Sequence, residues 1–302
     1  MSRMNGLRAT RIRQAGVGLV EIMVASLVGA IVVIAVVQIF TANKQTFRMQ
    51  DAMAITQETG TFALDFIARD ALRAGFPGGE NTPSAFDWGE TTNDDPNGND
   101  TLAIVYSANA PDVEGRLCTG DMVGNIDVRL RNRYWVTDDG ELVCQGDEET
   151  ATDVFTAVGT PQVLVENVES FQVMFGVDLS YPLRPEPAGC PAQPAPAAGT
   201  PPGEPTAYIN ASLVQSAINR GAAANPAPPT CQVAMSERQV VRTIRIGLLV
   251  RTAGIVDAVV PADKTYTILD QVLAAPDITP DDGHLRRLFT KTVALRNIEE
   301  TL

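Results

Sequence analysis

The stretch GVGLVEIMVASLVGAIVVIAVVQIF, residues 16–40, decides how the rest of the chain is read. From Ile22 to Val37 no side chain carries a charge. In helical form the 24 residues from Val17 to Phe40 reach about 36 Å, enough to cross the hydrocarbon core of a bilayer. Four arginines precede it, Arg3, Arg8, Arg11 and Arg13, with no acidic residue among the first 16. Basic residues stay on the cytoplasmic side, so the segment is expected to leave its N-terminus inside and export the bulk of the chain. A cleaved secretory signal fits less well. No small-residue cleavage site comes after the apolar run, because Phe40-Thr41-Ala42 sets an aromatic where a small side chain is needed. Glu21 also lies within the run, and a carboxylate at membrane depth costs about 2.5–3.5 kcal/mol unless it is hydrated at the interface or finds a partner.

The helical pattern continues past the membrane segment. No proline occurs between Val17 and Phe76, and Gly75, Pro77, Gly78 and Gly79 then supply a stop, so a helix is expected over about 17–74. In its second half Met49, Met53, Ala63, Leu64, Ile67, Ala71 and Ala74 recur at helical spacing, with Asp51, Glu58, Asp65, Arg69 and Arg73 opposite. Asp65 and Arg69 are spaced as an i,i+4 ion pair. Ile55, Phe62 and Phe66 fall on or near the charged side. Either the apolar face drifts along a curved body, or this side meets neighbouring helices in an assembly.

Gly16-Val17-Gly18-Leu19-Val20-Glu21, behind a basic leader and ahead of an apolar run, resembles the processing signal of type IV prepilins and type II secretion pseudopilins. The resemblance implies cleavage between Gly16 and Val17 by a prepilin peptidase on the cytoplasmic side, and then N-methylation of Val17. Val17 departs from the phenylalanine most members carry. The resemblance also makes Glu21 the fifth mature residue, a carboxylate that pairs with the N-terminal ammonium of a neighbouring subunit. That pairing is physically reasonable, since a charge in lipid needs an opposite charge beside it.

Charge and cysteines bound the remainder. Four of the 23 basic residues and none of the 36 acidic ones lie in 1–16, so residues 17–302 hold 19 basic against 36 acidic side chains, a net −17. Such a body is a poor nucleic-acid binder, and no nucleic-acid partner is expected. Cys118, Cys144, Cys190 and Cys231 form no C-x-x-C pair, which weakens zinc and redox readings. An even number on the exported side favours two disulfides. Three connectivities are possible, and the sequential pairs Cys118–Cys144 and Cys190–Cys231 close the shortest loops.

After the glycine stop, Asp94-Asp95-Pro96-Asn97-Gly98-Asn99-Asp100 is partly like a calcium loop. It lacks the ligand register and the downstream glutamate, and reads as an Asx-rich turn. Strand patterns come next at 101–107, 127–136, 141–145, 163–165, 171–177, 240–251 and 288–296, of the half-buried antiparallel type. Residues 182–229 hold 12 of the 20 prolines and read as an insertion or surface loop, with a candidate short helix over 208–219. The organisation expected is a leader at 1–16, a transmembrane half-helix at 17–40, an amphipathic half-helix at 41–76, and an exported β-rich body at 77–302.

Several segments carry a narrower resemblance. Asp70-Ala71-Leu72-Arg73-Ala74-Gly75-Phe76 is similar to the helix ending of PilW-type minor pilins, and Asn99-Asp100-Thr101-Leu102 to their first strand after the helix. Residues 165–178 (VENVESFQVMFGVD), 241–251 (VRTIRIGLLVR) and 286–297 (RRLFTKTVALRN) resemble further strands of that family in the same order. The resemblance implies an α+β pilin fold, a long N-terminal helix whose distal half packs on an antiparallel sheet. It further implies a minor pilin that primes pilus assembly in the inner membrane and sits at or near the filament tip. Its partners would be other minor pilins, the major pilin and the assembly platform, with a tip adhesin as a further candidate. A J-type minor pseudopilin of type II secretion is the alternative in the same superfamily. A membrane-anchored exported enzyme is the rival of another class. Against it stand a single histidine, His284, and the lack of a G-x-S-x-G motif. No catalytic residue, cofactor or metal site is expected, and His284 reads as a solvated turn residue.

Overall fold

The distal helix buries one stripe because of its spacing. Thr56, Gly60, Ala63, Leu64, Ile67, Ala68, Asp70 and Ala71 recur at the helical period and are the buried positions of α1, Leu19–Ala71. Most are small, which lets strands approach closely. A computed structural model of the protein describes residues 16, 18–76, 84–93, 98–109, 115–125, 127–177, 205–215, 241–256, 260–261, 263–274, 278 and 282–297. The molecule divides into two compact units, Met1–Gln50 and Asp51–Leu302.

In the first unit α1 runs from Leu19 with its large apolar side chains uncovered. In the second unit the helix ends at Ala71 and continues as a turn through Gly75, slightly short of the expected position. Gly75 takes a positive φ of 69°, the backbone state glycine supplies cheaply at a helix end. Its N–H donates to Val105 O at 2.8 Å, turning the chain towards the first strand. The open carbonyls of Leu72 and Ala74 accept from Asn297 Nδ2 at 3.1 and 3.3 Å. The chain after the last strand therefore caps the helix.

The strands are β1 (Leu102–Ser107), β2 (Arg129–Val136), β3 (Leu142–Ala151), β4 (Val154–Val165), β5 (Val168–Val177), β6 (Ala207–Ile209), β7 (Val241–Arg251), β8 (Tyr266–Ile268), β9 (Gln271–Leu273) and β10 (Arg286–Ala294). They form two four-stranded antiparallel sheets, ordered β1-β2-β3-β4 and β10-β7-β5-β6, and a β8-β9 ribbon. The α+β class expected from the sequence is thus the class observed, with two sheets in place of one. Leu64 and Ile67 of the helix, Leu130 and Tyr134 of β2, Phe171 and Phe175 of β5, and Ile244 and Leu248 of β7 share one continuous core. A Cβ at Gly60 would run into the Phe289 ring, so glycine is what allows α1 and β10 to meet there. The β8-β9 ribbon closes a smaller core of Leu249, Ile268, Leu273 and Ile278.

Asn99 and Asp100 stitch the two sheets together. Phe171 N donates to Asn99 Oδ1 and Val173 N to Asp100 Oδ2, each at 2.7 Å, while Asp100 N donates to Phe171 O at 2.9 Å. These carboxamide and carboxylate oxygens supply acceptors along the edge of β5 opposite β7, at residues that β6 does not reach.

Four expectations need correction. Asp65 does not pair with Arg69; it meets Lys291 of β10, because a cross-element cation lies closer than the one a turn away. Met49 and Met53 are not on the covered face, being 37% and 44% exposed, since burial starts only at Thr56. Residues 208–219 are not one helix: Tyr208 sits in β6, and the chain is helical over 211–215. Finally, the strand expected at 141–145 extends through Ala151 and pairs with a β4 that starts at Val154, well before 163.

Candidate functional site

The apolar segment presents its whole surface outward. From Leu19 to Phe40 the large hydrophobic side chains are between 53% and 75% exposed. If about half of each side chain's transfer energy is unrealised, 15 such residues represent on the order of 15 kcal/mol of apolar surface seeking cover. That exceeds any patch a soluble monomer keeps, and the helix is long and apolar enough to cross a membrane. Glu21 sits in the first turn of α1, exposed, with its backbone N–H donating to Gly18 O at 3.0 Å. A carboxylate there faces the positive end of the helix dipole. Gly16 is exposed, and nothing lies within 4 Å of where its Cβ would be. Val17 lies outside the described residues.

The second feature is a buried polar junction between the end of the helix and the first sheet. Asp70 is 4% exposed. Its Oδ2 accepts from Tyr134 Oη and from Asn132 Nδ2, the latter at 2.6 Å, and its Oδ1 accepts from Arg73 Nη1 at 3.0 Å. Asn132 Nδ2 also donates to Tyr106 Oη at 2.7 Å, and Asn132 Oδ1 accepts from Cys118 N at 3.1 Å. Burial raises the Asp70 carboxyl above its ordinary value, opposed by the bonds from Tyr134 and Asn132 and by the Arg73 charge. Burial, and next the Asp70 charge, push both tyrosine hydroxyls well up. The junction is thus an array of donors converging on one carboxylate, and it fixes the helix end against β1 and β2.

Cys118 and Cys144 are joined in a disulfide with Cα atoms 6.3 Å apart. The bond ties the 116–122 hairpin to β3, and Cys118 N reaches the Asp70 junction through Asn132. Cys190 and Cys231 lie outside the described residues, as does Asp94-Asp95-Pro96-Asn97 of the Asx-rich turn. Among the described residues no cluster of His, Cys, Asp and Glu is arranged to hold a metal. His284 is not a solvated turn side chain. It is half-buried, and its Nδ1 lies 2.7 Å from Thr252 O, a carbonyl to which it can only donate.

Asp70 and Arg73 fall in the helix ending at 70–76, and Asn132 and Tyr134 in the strand expected at 127–136, but neither segment alone shows that they meet. The available signal was Asn132, which shares a face with Leu130, Tyr134 and Val136 in strand β2. A carboxamide in an otherwise core-facing row demands partners inside the protein.

Comparison with known proteins identifies the family. The family model described as type IV pilus-assembly protein W matches residues 133–297, more than half of the chain. Among solved structures, a type IV-like pilin from Thermus thermophilus is similar at 16% identity and a TM-score of 0.37, covering 84% of this chain and 100% of that one. No curated protein matches. With a family model matched over most of its strands, the chain belongs to the PilW family of type IV pilus-assembly proteins.

Proposed function

We propose that this chain is a minor pilin that primes type IV pilus assembly and is incorporated at or near the filament tip. Residues 1–16 act as a leader removed between Gly16 and Val17, and Val17 is then N-methylated. Residues 17–40 anchor the subunit in the inner membrane in a single pass, with the N-terminus cytoplasmic and the body on the far side. Residues 41–76 carry the amphipathic half of the helix and 77–302 the exported body, with 182–229 an insertion within it. The subunit contributes surface and position, not catalysis. Its partners are other minor pilins, the major pilin and the assembly platform.

The observation that carries this reading is the uncovered apolar surface of Leu19–Phe40 with one carboxylate, Glu21, in its first turn. Lipid covers such a surface before assembly, and neighbouring helices can cover it afterwards. Glu21 then needs a cation within the assembled helices. Glu21→Ala tests this directly. The variant is expected to be processed at Gly16 and to remain in the membrane, while its recovery in sheared filaments falls. Normal recovery refutes the pairing role. Gly16→Ala is expected to leave the leader attached, seen as a slower band on a gel, and processing at the wild-type rate refutes the assigned junction.

A further inference from the structure

The last two turns of α1 and the edge strand β10 enclose a groove of about 460 Å³. Its lining includes the apolar side chains of Ala68, Leu72, Val293 and Ala294, of which Ala68 and Val293 are buried. Its rim carries Asp65, Arg69, Lys291 and Arg296. Lys291 neutralises Asp65, in an ion pair whose two side chains are 40% and 47% exposed. Arg69 and Arg296 are exposed and have no carboxylate partner among the described residues. Two cations with no carboxylate partner among the described residues thus flank apolar side chains, on a body whose residues 17–302 carry −17 overall. Elsewhere on the body the arginines of β2 are each met by carboxylates: Arg129 by Glu149, Arg131 by Asp147 and Asp87, and Arg133 by Glu90 and Asp147.

The groove also borders an open sheet edge. β10 ends the order β10-β7-β5-β6 and, among the described strands, pairs with β7 alone. In an antiparallel pair alternate backbone groups of the outer strand point away from its partner, and an added strand can take them up.

We propose that this groove docks an acidic, extended segment of a partner polypeptide. The segment adds along the free edge of β10 and seats apolar side chains over Ala68, Leu72 and Val293. Its carboxylates then stand against Arg69 and Arg296. Main-chain bonds to the edge supply affinity, and the two cations select charge and register. A long polyanion is disfavoured as occupant, because the net −17 of residues 17–302 repels it. The inference goes beyond the pilus reading: it names a surface and a ligand chemistry that hold whatever assembly the chain enters.

The test uses the full-length chain in detergent micelles. Fluorescent peptides of alternating Glu and Val, or alternating Lys and Val, are titrated and followed by anisotropy. The acidic peptide is expected to bind and the basic one not, and raising salt to about 0.5 M should weaken binding. The double variant Arg69→Glu with Arg296→Glu should lose about tenfold or more in affinity for the acidic peptide and should gain binding of the basic one. A misfolded protein cannot give that exchange. Arg116→Glu, on an exposed residue outside the groove, should bind as the wild type does. The proposal is overturned if the double variant binds the acidic peptide unchanged, or if no saturation is reached by about 1 mM. It is also overturned if a short thymidine oligonucleotide occupies the groove in the peptide's place. A requirement to delete residues 298–302 before the peptide binds overturns it too, because the chain's own tail is then the occupant.

Discussion

Replacing Tyr134 by Phe removes one hydroxyl from the Asp70 junction and little else. Tyr134 is fully buried and Phe keeps the ring, so its edge-on contact with Phe66 at 6.5 Å survives and no cavity opens. What is lost is a hydrogen bond to a buried carboxylate, whose remaining donors are Asn132 and Arg73. Hydrogen bonds to charged groups contribute about 1.5–3 kcal/mol, so about 2 kcal/mol is expected at pH 7. For a body of this size that lowers the midpoint of thermal unfolding by about 4–8 °C. The pH dependence separates this cause from a packing defect. Burial holds the folded Asp70 pKa above its unfolded value, so the native state binds the extra proton, and stability from this group is full at low pH and lost as pH rises through the folded pKa. Tyr134 acts against that loss by favouring the ionised form. The difference between wild type and Tyr134→Phe should therefore be largest at neutral pH. As Asp70 protonates on acidification it should shrink towards the ~1 kcal/mol of a neutral bond. The assay is urea unfolding of both full-length proteins in the same micelles, compared pH by pH so that other titrating groups cancel. A difference below about 0.5 kcal/mol at pH 7, or one that stays flat with pH, would mean that Tyr134 does not stabilise an ionised Asp70.

Other perturbations have equally definite outcomes. Replacing Cys118 and Cys144 together by alanine opens a loop of sequence separation 26 and should cost about 3.5 kcal/mol on the chain-entropy model, read as a drop in the denaturant midpoint that reductant reproduces in the wild type. Gly60→Leu forces a side chain into the Phe289 ring and should cost about 1–3 kcal/mol; an unchanged midpoint would mean that helix and strand do not meet at this glycine. Arg286→Ala strands Glu169 and Asp282 around a site where the arginine side chain is 1% exposed, and should destabilise by about 3–5 kcal/mol, with partial recovery when Glu169→Gln is added.

Much of the fold was legible because its signals are local. The apolar run, its glycine stop and the alternation of Ile244, Ile246, Leu248 and Val250 each need only one element's periodicity. The β3-β4 ribbon escaped because Gly146-Asp147-Glu148-Glu149 reads as a polar loop. Asp147 is nonetheless fully buried, and Arg131 Nε and Arg133 Nε each reach it at 2.8 Å from the neighbouring strand. That compensation is a cross-strand property, invisible to a window moving along one segment. The short β8 and β9 escaped for a related reason. Three residues carry no period, and the ribbon exists because Gly247 leaves room for Ile268 and Leu269. Of the candidate functional features, Glu21 announced itself as a lone charge in an apolar run. The Asp70 junction needed the register of β2 against the helix before Asn132 and Tyr134 could be recognised as its partners. The groove rim needed Arg69 and Arg296, far apart in sequence, to be brought to one place.

On the proposed function, the processed chain leaves the membrane as part of a filament. The most direct measurement is to shear filaments from cells making an epitope-tagged chain, and to locate the tag by immunogold electron microscopy. A processed chain beginning at Val17 is expected in the filament fraction, at low copy, with label concentrated at filament ends. A chain found in the membrane fraction alone, while the same cells assemble filaments, would contradict it.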